Sequence, residues 1–176
     1  RYAQSIYEAG NDLLLLINDI LDLSKIESGK VDLSVEPVTV PRLFESLAHR
    51  FEPLAAQRGL ELRVLVDPAC PEAIESDPQR LQQILANLLS NAVKFTERGS
   101  VLLRAAPDGP DRIAFTVEDT GIGIAAEQHE VVFEAFRQAD GTTNRRYGGT
   151  GLGLSIVREL VALLGGTIRL RSAPGE

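Results

Sequence analysis

The sequence is poor in several residue types, and each shortage excludes a class of protein. Its 176 residues include one cysteine, Cys70, so an internal disulfide is excluded and a reducing, cytoplasmic setting is expected. The formal net charge of −7 argues against a nucleic-acid-binding protein, because phosphate backbones require a basic surface. No apolar run exceeds five residues, so we expect no membrane span in this segment.

Methionine is also missing, and the chain begins at Arg1. We therefore expect a piece of a longer protein, and a membrane anchor elsewhere in that protein is compatible with this sequence. Hydrophobic residues make up 44% and charged residues 24%, which favours a packed domain over a disordered chain.

Residues 2 to about 27 are predicted to form one long helix, with Gly29 as its C-cap. Apolar residues recur in a heptad pattern that would form a seam along one face. A helix with so wide an apolar face needs partner helices, either within its own domain or in a helical bundle continuing outside this chain. The seam positions are Ile6, Ala9, Leu13, Leu16, Ile20 and Leu23.

The rest of the chain alternates between strand and helix patterns. They predict an α+β fold, an open α/β sandwich with a mostly antiparallel sheet and helices on one face. Residues 127–136 are predicted to form short helical pieces, and 137–149 a mobile loop. Strands are predicted at 31–38, 60–66, 100–106, 112–119 and 166–172, and further helices at 40–58, 77–95 and 151–164.

A glycine-rich stretch, Y-G-G-T-G-L-G-L at 147–154, precedes the last helix pattern. Glycines let backbone N–H groups approach a phosphate closely, and a helix N-terminus adds a positive dipole. The spacing fits neither a P-loop, nor a dinucleotide fingerprint, nor a protein-kinase glycine loop. Taken alone, the stretch is equally compatible with a structural turn.

A second polar pattern lies within the helix L-A-N-L-L-S-N-A-V-K-F, residues 85–95. Asn87, Asn91 and Lys94 are spaced i, i+4 and i+7, so they share one helical face. Two carboxamides and an ammonium in a line suit hydrated Mg²⁺ and the phosphates it carries. An ordinary amphipathic helix with a polar stripe is the alternative.

A third pattern, V-E-D-T-G-I-G-I at 117–124, places Asp119 at the end of a strand. Its carboxylate is suited to accept a hydrogen bond from an exocyclic amine such as that of adenine. The alternative is a capped turn, because Asp-Thr-Gly is common in turns.

Taken in this order, the three segments closely resemble the ATP-binding domain of sensor histidine kinases, whose Bergerat fold is shared with DNA gyrase and the large heat-shock chaperones. Residues 85–95 resemble the N box and D-T-G-I-G-I the first glycine box. V-F-E-A-F at 132–136 resembles the F box, and G-G-T-G-L-G-L the second glycine box. The loop at 137–149 corresponds to the segment that closes over the nucleotide in this family, here called the lid. Its sequence, from R-Q-A-D to Y-G-G, is most similar to that of hybrid kinases that carry receiver domains.

The resemblance also implies a domain division and a set of partners. Residues 1–29 would be the second helix of the dimerisation hairpin, and 30–176 the catalytic domain with its last strand truncated. The implied partners are the hairpin of the same or a sister protomer, a response-regulator receiver domain, and a second copy in a full-length homodimer. Nucleic acid and membrane contact are not expected of this segment.

The resemblance implies ATP and Mg²⁺ as cofactors and gives each site residue a role. Asp119 would bind the adenine amine, Asn91 would ligate Mg²⁺, and Lys94 would touch phosphate or ribose. Phe133 and Phe136 would anchor the near end of the lid, although a core role is the usual one for buried phenylalanines. The remaining implied nucleotide contacts are Asn87, Gly121, Gly123, Arg145, Arg146, Gly149, Thr150, Gly151, Leu152 and Gly153.

The position of Asn87 bears on the type of reaction. ATPase relatives place a water-activating Glu four residues before the metal-binding Asn, and a carboxamide cannot take a proton from water. Phosphoryl transfer to a separate histidine is therefore expected, with Asn87 and Lys94 assisting by position and charge. Neither His49 nor His129 lies in an acceptor motif, so the acceptor is expected elsewhere. A degenerate regulatory or dimerisation module and an ATPase remain the alternatives.

Overall fold

A computed structural model describes residues 2–29, 31–135 and 151–175. The chain divides into two compact units. The first, here called the helical unit, comprises Arg1–Asp32 and Glu127–Ile168. The second, the sheet unit, comprises Leu33–Ala126 and Arg169–Glu176.

Helix α1 of the helical unit spans Tyr2–Glu27, which confirms the predicted long helix. Gly29 ends it with a positive φ of 63°, and its N–H donates to the carbonyl of Ile26 at 3.0 Å. This left-handed position favours glycine because a Cβ atom would be strained there.

Much of the apolar face of α1 is exposed within this chain. Leu23 is buried, but five apolar side chains are at least 41% exposed. Ile6 and Ala9 of the predicted seam have side chains outside the described part of the chain. The exposed side chains are Leu13, Leu14, Ile17, Ile20 and Leu21.

The remainder of the helical unit follows the sequence patterns closely. Two short 3₁₀ turns, Ala126–Gln128 and Val131–Phe133, lie where short helical pieces were predicted. Helix α4 spans Gly153–Leu163 and packs against α1 and the second of these turns. The predicted mobile loop at 137–149 lies outside the described residues.

The sheet unit contains two helices, α2 and α3, and five strands. Helix α2 (Val40–Gln57) has Pro41 in its first turn, and α3 spans Pro78–Phe95, both as predicted. The strands are β1 (Glu36–Thr39), β2 (Glu61–Val66), β3 (Ala73–Ser76), β4 (Ser100–Pro107) and β5 (Ile113–Asp119).

These strands form two sheets. Strands β1 and β3 pair antiparallel, with Val38 opposite Ile74. In the larger sheet, of order β2-β4-β5, β4 pairs parallel with β2 and antiparallel with β5. The register of β4 and β5 sets Val101 opposite Asp119, so the end of β5 lies beside the start of β4.

Helices α2 and α3 cover one face of the larger sheet. Leu103 and Ala105 of β4 are fully buried beneath these helices. Leu85 and Leu89 of α3 are each only 1% exposed. Phe44 of α2 lies 6.0 Å from the Phe115 ring of β5, measured between centroids. The other face presents exposed side chains, which is the one-sided covering that the strand alternation predicted.

Two expectations about the strands were wrong, and one strand was missed. Only Glu36–Thr39 of the predicted strand 31–38 is a strand, and β3 was not predicted. Residues 166–172, although alternating in sequence, form no strand among the described residues. Alternation identifies a face, but a strand also needs a neighbouring backbone, and described hydrogen bonds of 169–175 go instead to the turn at 122–124.

Asp77 fixes the start of α3 and the chain that leads into β1. Its Oδ1 accepts a hydrogen bond from the N–H of Arg80, and its Oδ2 accepts one from the N–H of Ser34, both at 3.0 Å. The residue is only 5% exposed. Burial acts to raise the pKa of Asp77, but backbone hydrogen bonds from Arg80, Ser34 and Gln79 and the charge of Arg80 outweigh it, so the pKa lies below its ordinary value.

We expect Asp77→Ala to lower the free energy of unfolding by about 1–3 kcal/mol at neutral pH, because a helix cap and a buried acceptor are lost. The folded-state pKa is lowered, so the carboxylate stabilises the fold above its unfolded pKa of about 3.9. That contribution disappears as pH falls through the lower, folded-state pKa. Urea unfolding across this range checks both points. Asp111→Ala, in an exposed turn, is the control, and a difference independent of pH would contradict the prediction.

Candidate functional site

Helix α3 separates its apolar and polar residues onto different faces. Leu85, Leu89 and Val93 are buried against the sheet unit, whereas Asn87, Asn91 and Lys94 are only half-buried. The three polar side chains therefore share one accessible line along a helix held rigidly by its core face. Lys94 places its Nζ 4.8 Å from the centre of the Phe95 ring.

The C-terminal end of α3 is held by two residues that the sequence analysis missed. Arg58, just after α2, donates from its guanidinium to the carbonyls of Val93 and Lys94 at 3.2 and 3.1 Å. Thr96, which is 1% exposed, donates from Oγ1 to the carbonyl of Ala92 at 2.7 Å. A cation at this end also complements the helix dipole.

Thr96 connects the end of α3 to Asp119. Its Oγ1 lies 3.4 Å from Oδ1 of Asp119, a long contact compared with the 2.9 Å bond that the same oxygen accepts from the N–H of Gly121. The other carboxylate oxygen, Oδ2, accepts no hydrogen bond from the described part of the chain. Asp119 is thus fixed through one oxygen and exposes the other.

The turn that follows Asp119 is held at several points. The N–H of Thr120 donates to the carbonyl of Ser100 at 3.2 Å, and the N–H of Ile122 donates to the carbonyl of Phe95 at 3.3 Å. A Cβ atom on Gly121 would lie 2.5 Å from Oδ1 of Asp119 and 2.6 Å from the Phe95 carbonyl oxygen. Only glycine permits this close approach of the turn to α3.

Gly123 is required for a different reason. Its φ is 69°, and a Cβ atom there would overlap the carbonyl of Ala173. The space beside Gly123 is therefore occupied by the chain's own C-terminal segment. The resemblance had implied that this glycine shapes the adenine side of the site.

The second glycine box belongs to the helical unit. Gly151 has a φ of 71°, and Leu152, fully buried, is the N-cap of α4. The first turn of α4 contains no acidic residue, so nothing in that turn opposes an anion at the positive end of the helix. The carbonyl of Leu152 accepts a hydrogen bond from the N–H of Ile156 at 2.9 Å.

The structure thus brings six of the predicted site residues into one unit. Asn87, Asn91 and Lys94 lie on α3, and Asp119, Gly121 and Gly123 lie at the end of β5 and in its turn. Gly151, Leu152 and Gly153 lie in the helical unit. Arg145, Arg146, Gly149 and Thr150 lie outside the described residues, as does Phe136.

An open cleft of about 330 Å³ lies beside the first half of α3. Arg50 of α2 and Asn87 are among its lining residues, but Asp119 and the glycine turn are not.

The described residues contain no group of three or more His, Cys, Asp and Glu side chains placed to hold a metal. A metal here would depend on carboxamides and on phosphate oxygens, the ligand pattern that Mg²⁺ takes with nucleotides. None of the described helices combines the length and apolarity needed to cross a membrane.

Comparison with known proteins gives concordant matches. The sequence model of the family described as "Histidine kinase-, DNA gyrase B-, and HSP90-like ATPase" matches residues 76–176. The chain is 45% identical over 179 residues to the circadian input-output histidine kinase CikA of Synechococcus elongatus, covering 99% of this chain and 23% of CikA. It is also 45% identical to hybrid signal transduction histidine kinase L of Dictyostelium discoideum, covering 99% of this chain and 10% of that protein.

A solved structure agrees with these matches. Full-length ShkA in complex with AMPPNP superposes with a TM-score of 0.88 at 38% identity, over 99% of this chain and 36% of that chain. The likeness confirms the predicted α/β sandwich fold. The chain spans less than a quarter of the length of the two curated relatives.

We expect Thr96→Val to weaken binding of ADP by about 3- to 10-fold, because the mutation removes the hydroxyl that lies beside Oδ1 of Asp119. Thr96→Ser keeps the hydroxyl and is the matched control, expected to bind like the wild type. Calorimetric titration measures both. Equal affinities for the Val and Ser variants would show that Thr96 acts only as a helix cap.

Proposed function

The chain belongs to the family of histidine kinase-, DNA gyrase B- and HSP90-like ATPases, as the ATP-binding domain of a sensor histidine kinase, and from this premise we propose that it binds Mg-ATP and transfers the γ-phosphoryl group to a histidine supplied by another segment. The observation that carries the proposal is the fixed carboxylate of Asp119 beside the end of α3, the helix that presents Asn87, Asn91 and Lys94.

Asp119 is proposed to recognise the adenine amine. Oδ1 is held by the N–H of Gly121, so Oδ2 has a defined position without needing to reorganise when a donor arrives. A carboxylate accepting from an amine selects adenine over guanine, whose corresponding edge carries a carbonyl oxygen. Full-length ShkA was solved with AMPPNP, an ATP analogue, which supports an adenine nucleotide as the ligand.

The polar line of α3 is proposed to face the phosphates. Asn91 has a side-chain oxygen to offer Mg²⁺, and Lys94 has an ammonium for phosphate or ribose oxygens. The chemistry that bound Mg²⁺ supplies is neutralisation of phosphate charge. The backbone of the second glycine box and the lid residues Arg145 and Arg146 remain proposed phosphate contacts.

Asn87 decides between transfer and hydrolysis in this proposal. It occupies the position where a water-activating carboxylate would stand, and an amide is not a base at neutral pH. The catalytic contribution of α3 is then positioning and charge, and the nucleophile must be a histidine on another segment. His49 lies exposed on α2, and no acceptor motif surrounds either histidine of this chain.

Helix α1 is proposed to be the second helix of the dimerisation hairpin. Its exposed leucines and isoleucines form an apolar surface that a partner helix would cover. The proposed partners are the other hairpin helix, a second copy of the chain in a full-length dimer, and a receiver domain that takes the phosphoryl group onward. We further propose a domain boundary near residue 30, and a cytoplasmic location.

Calorimetric titration of ADP and of a non-hydrolysable ATP analogue tests nucleotide binding. We expect affinity in the micromolar range, about −8 kcal/mol. Asp119→Asn should weaken binding by about 10- to 150-fold, because a charged hydrogen bond is lost. Glu118→Gln, which neutralises the neighbouring exposed carboxylate, is the matched control. A wild-type protein that melts cooperatively but does not bind would indicate a regulatory interaction module instead.

Phosphotransfer is tested by adding a sensor-kinase dimerisation hairpin with its acceptor histidine. Incubation with Mg-ATP should produce acid-labile phosphohistidine on the hairpin, and none on a hairpin whose histidine is replaced by glutamine. Asn91→Ala should abolish the product, because the proposed metal ligand is removed. Release of inorganic phosphate without phosphohistidine would favour the ATPase alternative.

A further inference from the structure

The segment 172–175, here called the C-terminal brace, is hydrogen-bonded to the glycine turn that follows Asp119. The N–H of Ile124 donates to Oγ of Ser172 at 2.9 Å. The N–H of Gly175 donates to the carbonyl of Ile122 at 3.1 Å. The two bonds flank Gly123, so the brace holds the turn on both sides of that residue.

The shape of the turn confirms how closely the brace fits. Gly123 adopts a left-handed conformation with φ of 69°, and its missing Cβ leaves the space that the Ala173 carbonyl fills. The nearest contact to a Cβ on Gly123 after Ala173 is Pro174, at 3.0 Å from its Cα. The second glycine of the motif D-T-G-I-G-I is thus explained by the chain's own C-terminal segment, without any ligand.

The turn is also bonded to Asp119, to β4 and to α3, and its bond to α3 is the longest of its backbone bonds. On its α3 side, Ile122 donates to the Phe95 carbonyl at 3.3 Å, longer than either bond to the brace. A turn with two glycines has much conformational freedom, and binding a ligand against it is unfavourable unless the turn is already ordered. The brace adds to that order at Ile122 and Ile124, from a segment about 50 residues away in sequence.

We propose that the C-terminal brace sets the nucleotide affinity of the site by ordering the glycine turn, with Ser172 as the positioning residue. The inference rests on the proposed function, because it assumes that Asp119 and its turn receive the base. Ser172 touches neither the base nor the phosphates in this scheme. It acts through Ile124 and the backbone that leads back to Asp119.

The test compares Ser172→Ala, which removes the acceptor, with Ser172→Thr, which retains a hydroxyl. Ser172→Ala should weaken ADP binding by about 3- to 10-fold in calorimetry, whereas Ser172→Thr and the exposed control Arg171→Ala should stay within about 2-fold of the wild type. Amide hydrogen exchange gives a second readout, in which Ile124 should lose protection in Ser172→Ala and the buried strand β4 should not.

Each outcome has a distinct meaning. Unchanged ADP affinity and unchanged Ile124 exchange in Ser172→Ala would overturn the proposed role of the brace. The proposed function would still stand if Asp119→Asn lost binding. Faster exchange throughout β4 as well as at Ile124 would also overturn it, because Ser172 would then act on global stability. If Asp119→Asn bound ADP as tightly as the wild type does, the proposed function would be wrong, and so would the inference that rests on it.

Discussion

The candidate site depends on the burial of one face of α3 against the larger sheet. Leu85 and Leu89 are almost fully buried, and this packing fixes the rotation of the helix about its own axis. The polar line through Asn91 is accessible because it lies on the part of the helix that the core does not use. Asp77 fixes one end of the helix and Arg58 the other, so its position along the sheet is set as well.

A second constraint joins α3 to the strand that carries Asp119. The carbonyl of Phe95, at the last position of the helix, receives the N–H of Ile122, and Thr96 lies against the Asp119 carboxylate. The carboxylate of Asp119 and the helix of the carboxamides are therefore placed relative to each other by backbone and buried side chains. A site assembled this way is preorganised, since its geometry does not wait for a ligand.

Sequence reasoning succeeded where the physical cause was local. The limits of α3, β4 and β5 follow from the apolar periods within each segment. It failed where the partner was distant. Strand β3 exists because β1 lies beside it, Arg58 acts on carbonyls 35 and 36 residues away, and the predicted strand at 166–172 lacks a paired neighbour in the described structure. Gly123 was recognised as special, but its cause, the Ala173 carbonyl, leaves no local pattern.

The residue at position 87 is the reason that we propose transfer rather than hydrolysis. An ATPase keeps its base and its nucleophile within one site, which a carboxylate at position 87 would allow. An amide at this position leaves α3 able to orient phosphate and metal but unable to activate water. Under this proposal the nucleophile comes from another segment, and the exposed apolar surface of α1 is the proposed contact for a histidine-bearing helix. The amide at position 87 and the exposed surface of α1 are thus two separate features that support the proposal of phosphoryl transfer to a partner helix.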